Sequence, residues 1–326
     1  MSNHSIKPSA ILLVLGMLFV AGCSQNAPTA APIKGVSKLA GGASSPGDGS
    51  SPLTGDVNQP QQQTADANPN ATLAPAQAID EAKAFCQAVG VSTSGAESAV
   101  FTGLHAPGDT SFKYWKPVWD VTLGTVTVEL CDTDGVISSF DAGPPAGAKS
   151  GAVMSRDAAL ARGAQIIKAA HITETLGPAS AAIATKLSGS VWAIDWPRMA
   201  QGHPFADQQV SVTLDQNTGA LRSLAVAFDT PVPAPARAVL TESEAVEKAT
   251  SFLESKNHHP SDLWTKKKAA LTWVTPKTFG STIAKVRPPV LTWRCSFTNA
   301  TQDYADIPVD AVTSEIVTSA LNYNAN

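Results

Sequence analysis

The chain has 326 residues, a length that allows two or three folded domains. Hydrophobic residues make up 43% of it and charged residues 15%, so the chain can bury real cores and disorder throughout is excluded. The 23 Lys and Arg residues against 27 Asp and Glu residues give a net charge of −4, and the longest basic run is Lys266–Lys268. Because a nucleic-acid-binding protein needs a basic surface, nucleic acid is not an expected partner.

Residues 1–22 have the organisation of a secretion signal peptide. One cation, Lys7, precedes the uninterrupted apolar run Ala10–Ala21, and small residues follow. The run is shorter than the roughly 20 residues that span a bilayer, so a signal peptide is favoured over a transmembrane helix.

The four residues Val20–Cys23 resemble the bacterial lipobox, in which small residues precede an invariant cysteine. The resemblance implies that a lipid is attached to the thiol of Cys23 and that the chain is cut before it. A bacterial membrane is then a partner, and the protein is extracytoplasmic and lipid-anchored. Val20 departs from the commonest residue, Leu, and simple secretion is the alternative. Ser24, rather than Asp, favours the outer membrane in a host that has one.

Residues 23–72 are predicted to form a disordered tether. The segment is rich in Ser, Gly, Pro, Gln, Asn and Ala and shows no apolar periodicity. Such a composition buries too little surface to offset the entropy of ordering a backbone. A flexible chain of this kind extends by roughly 5–6 Å × √n from its anchor.

A helical pattern occurs three times beyond the tether. In each segment apolar residues recur at i, i+1, i+4, i+7 and i+8, which is one face of an α-helix, and a small residue stands in the middle. The small residue is expected to allow close approach to a sheet. The three sets are Ala78, Ile79, Ala82, Phe85 and Cys86; Ala159, Leu160, Gly163, Ile166 and Ile167; and Ala245, Val246, Ala249, Phe252 and Leu253.

A hairpin pattern follows each predicted helix. Val126–Leu130 resumes at Val136 after Gly135, and Val210–Leu214 resumes at Ala220 after Gly219. A weaker third copy, Ile307–Val317, has Ser314 in the glycine position. A strand that contains a tryptophan, Trp119, Trp192 or Trp293, lies upstream of each hairpin.

These patterns predict an α+β fold of three tandem repeats over residues 73–143, 153–230 and 238–324. Each repeat is expected to be one helix packed on a small antiparallel sheet of three to four strands.

The order of helix, tryptophan-bearing strand and hairpin resembles the PepSY domain and the YcdB/YcdC-type repeat of bacterial extracytoplasmic proteins. Residues 214–219 carry the turn motif best, whereas Cys131 and Ser314 depart from it in the first and third copies. The resemblance implies a non-catalytic module that binds or inhibits secreted peptidases or serves the cell envelope. It implies no catalytic residue.

No enzyme, metal site or cofactor is predicted from the remaining motifs. The chain lacks the serine-hydrolase elbow, Ser-x-x-Lys, His-Glu-x-x-His and phosphate-binding glycine motifs. Residues 132–135 and 215–219 have the alternating oxygens of a calcium loop but not its final Glu, so hairpin turns are favoured. His258 and His259 suit a solvated helix end better than a surface metal site.

Four tryptophans are the candidate binding residues. Alternation places Trp115 and Trp119 on one strand face, and Trp192 and Trp196 on another. Packing in the core is the main alternative for them, and a partner-binding face is the sharper hypothesis.

Three cysteines remain besides Cys23, so one disulfide at most is expected. Cys86 and Cys131 are the candidate pair, and burial of Cys86 on its helix face is the alternative interpretation.

The sequence therefore favours a membrane-tethered extracytoplasmic lipoprotein that acts as a non-catalytic binding or inhibitory module, with a secreted peptidase as a candidate partner. A structural or self-associating protein of the cell envelope is the alternative.

Overall fold

The computed structural model describes residues 70–103, 114–142, 152–186, 189–256, 264–278, 285–299 and 304–324. All of them belong to one compact unit, Gln62–Asn326. The predicted signal peptide, Cys23 and the tether up to residue 69 lie outside the described residues.

Three α-helices lie where the apolar periodicity predicts them: α1 (Pro75–Ala88), α2 (Arg156–Ala169) and α3 (Glu242–Lys256). Ser155 caps α2 by accepting the Ala158 N–H at 3.2 Å, and Thr241 and Glu244 form a capping box on α3. The central small residue of each helix is buried: Ala82, Gly163 and Ala249. Ile79, Leu160 and Val246 are all half-buried, and the residue after each is exposed. The predicted helix register is confirmed.

Twelve strands form one mixed sheet in the described part of the chain. They are β1 (Glu97–Gly103), β2 (Val118–Leu123), β3 (Val126–Cys131), β4 (Ile137–Asp141), β5 (Ser180–Lys186), β6 (Gly189–Ala200), β7 (His203–Asp215), β8 (Leu221–Ala227), β9 (Thr265–Val274), β12 (Val290–Thr298), β13 (Tyr304–Asp310) and β14 (Asn322–Asn324). Two short strands, β10 (Lys277–Thr278) and β11 (Lys285–Val286), pair separately.

The prediction of three tandem repeats, each with its own small sheet, is wrong. β4 pairs antiparallel with β8, where Ser139 lies opposite Ala225, and β7 continues the sheet into β9 through the parallel pair Phe205 and Trp273. Strand edges bond through backbone groups, so strands of neighbouring segments join wherever their edges meet, and a joined sheet leaves fewer unpaired edges.

The core of the first eight strands lies on one face of the sheet, under α1 and α2. Phe85 of α1 meets Phe140 of β4 at a ring-centroid distance of 5.6 Å. Gly163 of α2 packs against Ile194 of β6. Phe140 and Ile194 belong to one row across the sheet, through Leu224 and Val212. α3 packs against β9, β12 and β13 and covers a second core.

The three predicted turns share one geometry. Gly135, Gly219 and Ser314 have φ values of 67°, 68° and 66°. Each donates its N–H to the carbonyl four residues earlier, on Cys131, Asp215 or Asp310. The departures from the turn motif therefore leave the backbone unchanged. In the third copy, however, the returning strand is reduced to a single bridge between Val309 and Ile316.

Candidate functional surface

The second face of β1–β8 carries two complete rows of side chains, which we call the open face. The rows cross the strands in the order β1, β2, β3, β4, β8, β7, β6, β5. The first row is Val100, Asp120, Glu129, Ser139, Ala225, Ser211, Asp195 and Ser180. The second row is Ser98, Thr122, Thr127, Asp141, Ser223, Thr213, Ala193 and Ala182.

Short polar side chains dominate the open face. Eight of its sixteen residues are Ser or Thr and four are Asp or Glu, and none is Lys, Arg or His. None of the sixteen is buried, and no helix in the described part of the chain packs on this face. The face is therefore accessible and acidic.

Neighbouring polar groups hold the carboxylates of the open face in place. Asp195 accepts hydrogen bonds from Ser211 Oγ at 2.6 Å and from Gln209 Nε2 at 3.3 Å. Thr102 donates to Asp120, and Ser138 donates to Glu129. These donors are neutral hydroxyl and amide groups, and their hydrogen bonds fix the positions of the three carboxylates. Such a surface can accept further hydrogen bonds from cationic or hydroxyl groups.

Three of the four candidate tryptophans lie in the core. Trp119 is 1% exposed, Trp192 is 7% and Trp196 is 8%. Trp192 and Trp196 share a strand face, as predicted, but α2 covers that face. These three tryptophans therefore pack in the core, which is the alternative interpretation drawn from the sequence. A binding role for the four residues stays a prediction.

Indole N–H groups of the sheet bond to the backbone just before α2 and α3. Trp192 Nε1 donates to the Met154 carbonyl at 3.1 Å, just before α2. Trp293 Nε1 donates to the Leu240 carbonyl at 2.8 Å, just before α3. The sequence reasoning missed this role. The signal was a tryptophan at matching positions in three segments, because a buried indole N–H needs an acceptor.

Asp132 supplies the same connection for α1 through its side chain. Its carboxylate accepts the Thr72 N–H at 2.7 Å, the Leu73 N–H at 3.0 Å and Trp119 Nε1 at 2.7 Å. Burial alone would raise the pKa of Asp132, but these three donors outweigh burial and lower it. The end of the predicted tether is therefore bonded to the turn between β3 and β4.

Trp115 is half-buried beside a polar cluster that contains Tyr114, Lys116 and Glu174. Lys116 Nζ lies 4.9 Å from the centroid of the Trp115 ring. Tyr114 donates its hydroxyl to Glu174 at 3.4 Å, and burial, reinforced by Glu174, raises the pKa of Tyr114. Within the described residues, Trp115 Nε1 and Glu174 Oε2 have no hydrogen-bond partner.

Arg198 forms the buried end of this cluster. The side chain is 1% exposed, and its guanidinium lies 4.5 Å from the Phe228 ring centroid. Arg198 Nη1 donates to Gln208 Oε1 at 2.6 Å and to the Thr230 carbonyl at 2.7 Å. Burial lowers the pKa of Arg198, although Glu174 opposes the effect. The buried Arg198 side chain therefore links β6 to Gln208 on β7 and to the residue Thr230 that follows β8.

The two calcium-loop candidates are hairpin turns. Asp215 Oδ1 accepts the N–H groups of Asn217 and Thr218 at 3.1 and 2.9 Å, and its Oδ2 accepts from Arg222 at 2.8 Å. Burial acts to raise the pKa of Asp215, but these bonds outweigh it and lower the pKa to about 2. No group of three or more His, Cys, Asp or Glu side chains suited to a metal occurs in the described ranges. His258 and His259 lie outside them.

The cysteines of the described residues are buried thiols. Cys86, Cys131 and Cys295 are unpaired, so the candidate disulfide between Cys86 and Cys131 is not present. Burial raises the pKa of Cys86 to about 11 and that of Cys295 to about 12.

The described helices are too short or too polar to cross a membrane.

Comparison with solved structures gives a distant likeness in fold. No protein-family model and no curated protein matches the chain. Among solved structures it is similar to the Bacillus megaterium YpeB C-terminal domain, with 11% sequence identity and a TM-score of 0.43. The likeness covers 78% of this chain and 100% of that chain. The finer assignment to PepSY or YcdB/YcdC-type repeats stays a prediction.

Proposed function

We propose that this chain is a membrane-tethered, extracytoplasmic, non-catalytic binding protein whose open face takes a protein partner with a basic surface. The observation that carries the proposal is the composition of the open face: its sixteen described residues include four Asp or Glu and eight Ser or Thr, and none of the sixteen is Lys, Arg or His. Charge complementarity of this kind gives specificity and a fast association rate. A secreted peptidase is the partner class that the sequence resemblance favours.

The tether and the lipid on Cys23 complete the proposal. They rest on the sequence of residues 1–72, and they would keep the open face within reach of the membrane while leaving it free to turn.

Site-specific photocrosslinking tests the open face. A photoreactive residue at Thr127, which is exposed on the open face, should capture a basic protein in the host envelope. The matched control is the same residue at Ala161, which is exposed on α2 away from the open face. Equal capture from both positions contradicts the proposal, and capture of this chain alone favours the self-associating alternative.

Charge removal then tests the chemistry on the captured partner. Cys23→Ser in the chain that carries its signal peptide should leave the protein unlipidated and largely soluble, because the thiol is the only acylation nucleophile; if this variant still sediments with membranes, the lipid anchor is wrong. The mature chain with the same substitution is the soluble form for the binding measurements. Asp120→Asn combined with Asp141→Asn should weaken binding by about tenfold at low salt and much less at high salt. Asp80→Asn, on the exposed side of α1, is the control and should change nothing. Binding that ignores the double substitution contradicts a basic partner on this face.

A further inference from the structure

The sheet has one long regular edge, at β5. In the described part of the chain the other outer strands are protected or short. β1 carries a bulge between Phe101 and Gly103, and its Glu97 is ion-paired with Lys83 at 2.6 Å. β14 has only three residues. β5 pairs with β6 at all seven of its positions without a register shift.

The sequence of β5 lacks most of the features that normally prevent an edge strand from pairing with another chain. Ser180–Lys186 reads SAAIATK, with no proline and with its single charge in the last position. Ile183 is 49% exposed, so it offers apolar surface to a partner strand. Every second residue of an edge strand directs its N–H and C=O outward, and an edge without charges, bulges or proline is a template for another strand.

The backbone before β5 is also held in place. Gly177 N–H donates to the Pro197 carbonyl at 2.8 Å, and Met199 N–H donates to the Thr175 carbonyl at 2.8 Å. The edge is therefore already ordered and would lose little conformational freedom on pairing.

We propose that β5 pairs antiparallel with β5 of a second copy of this chain, about a two-fold axis at Ile183. This register places the two Ile183 side chains opposite each other. In this register position 186, the only charged position of the strand, lies opposite position 180 of the other copy, so the two like charges are not directly opposite each other. The alanines beside Ile183 present no bulk that would keep the backbones apart.

The two-fold arrangement has a defined outcome for the open face. Residues directly opposite in an antiparallel pair point to the same side of the sheet. Ile183 lies opposite Trp192, on the side covered by α2, so both open faces lie together on the other side. The dimer would thus present a sixteen-stranded acidic surface. The geometry does not depend on the proposed function of that surface.

Sedimentation equilibrium of the mature Cys23→Ser chain tests the dimer. We expect a concentration-dependent monomer–dimer equilibrium that does not weaken as salt rises, because the contact is apolar and backbone-mediated while the paired open faces repel each other. Ile183→Lys places two cations at the axis and should raise the dissociation constant more than tenfold. Val100→Lys is the matched control, since Val100 is 60% exposed on the β1 edge, and it should have no effect.

A cysteine variant tests the register. Ile183→Cys should form a disulfide-linked dimer on mild oxidation, because opposite residues in an antiparallel pair have Cα atoms about 4.5–5.5 Å apart, within disulfide range. Val100→Cys should not form one. A chain that stays monomeric at all concentrations, or a dimer that Ile183→Lys leaves intact, overturns the proposal. So does a photoreactive residue at position 183 that captures a strand of a different protein.

Discussion

Gly163 shows how one missing methyl group sets the distance between α2 and the sheet. A Cβ atom at this position would lie 2.5 Å from Trp196 Cη2 and 3.2 Å from Ile194 Cδ1. The Trp196 ring is only 8% exposed, so it has little room to move. The corresponding positions of α1 and α3 are also buried but hold Ala82 and Ala249, so a methyl group is accommodated there.

Gly163→Ala should therefore destabilise the protein although it improves the helix. The added methyl gains about 1 kcal/mol of helix propensity but costs about 1–3 kcal/mol through overpacking. We expect a lower urea midpoint by circular dichroism. Ala164→Gly, at an exposed position next to it, measures the propensity effect alone and should cost about 1 kcal/mol. A higher urea midpoint for Gly163→Ala would show that α2 can move away from the sheet and make room for the added methyl group.

Asp215 links the β7–β8 turn to acid stability. Its pKa is lowered from 3.8 to about 2, so ionisation of this carboxyl stabilises the folded state. The sign follows from the lowered pKa: the contribution is fully present above about pH 4 and is lost as the pH falls through about 2.

Asp215→Asn should lower the free energy of unfolding at pH 7 by about 1–2 kcal/mol, and the difference from the wild type should shrink between pH 4 and pH 2. Urea titrations across this range measure it. Asp80→Asn, on the exposed side of α1, is the control. A difference that stays constant with pH would mean that the turn does not depend on the charge.

The helices and turns could be predicted because their signals are local. Ser155 and the Thr241–Glu244 pair stand next to the helices that they cap, and the apolar spacing of α1–α3 fixes the buried side without any knowledge of the sheet. The fold as a whole could not be predicted in this way. Pairing of β4 with β8 and of β7 with β9 is made by backbone groups, which leave no pattern in the residues.

The open face could be predicted only in part, for a related reason. Alternation in one strand shows that Thr127 and Glu129 share a side, and the same holds for Ser211 and Thr213. Their combination into one surface needs the register of eight strands. Among the candidate tryptophans, Trp192 bonds to Met154 just before α2, and this bond depends on a contact between distant segments that the sequence pattern does not show.

The connection between an indole and a helix start gives a test at the level of elements. Trp192→Phe keeps the ring but leaves the Met154 carbonyl without its donor, so we expect a loss of about 1–2 kcal/mol in a urea titration. Trp115→Phe is the matched control, because Trp115 Nε1 has no acceptor among the described residues. Equal losses for the two variants would show that ring packing, not the hydrogen bond, holds α2.

At the level of the whole molecule, Gln208 of β7 links strands β6 and β8 to strand β9. The side chain is 1% exposed, and its Nε2 donates to Thr275 Oγ1 at 2.7 Å and to Thr230 Oγ1 at 3.0 Å. Its Oε1 accepts from Arg198. One amide thus connects the residues that follow β8 and β9 with strand β6.

Gln208→Leu should destabilise the protein by about 1–3 kcal/mol, because it removes one of the two acceptors of the buried Arg198 and the amide that donates to Thr230 and Thr275. Hydrogen exchange measured by mass spectrometry should show β9 and β12 losing protection before β2 and β3. Gln209→Leu, the neighbouring residue on the other side of β7, should cost about 0.5–1 kcal/mol and change the two regions equally. If β9 and β12 lose protection at the same rate as β2 and β3 in Gln208→Leu, the sheet unfolds as one unit and does not depend on the hydrogen bonds of Gln208.

Strand β7 pairs with β6 and β8 and also with β9, and these partners are synthesised at different times. β6 and β8 lie close to β7 in the chain, whereas β9 begins at Thr265. The intervening stretch takes on the order of seconds to synthesise at about 5–20 residues per second. Throughout that interval the Ala200 carbonyl lacks the Trp273 indole that later donates to it. A chain that stops before Thr265 would keep this side of β7 open permanently, so premature termination there should yield a protein prone to pair with the wrong strand.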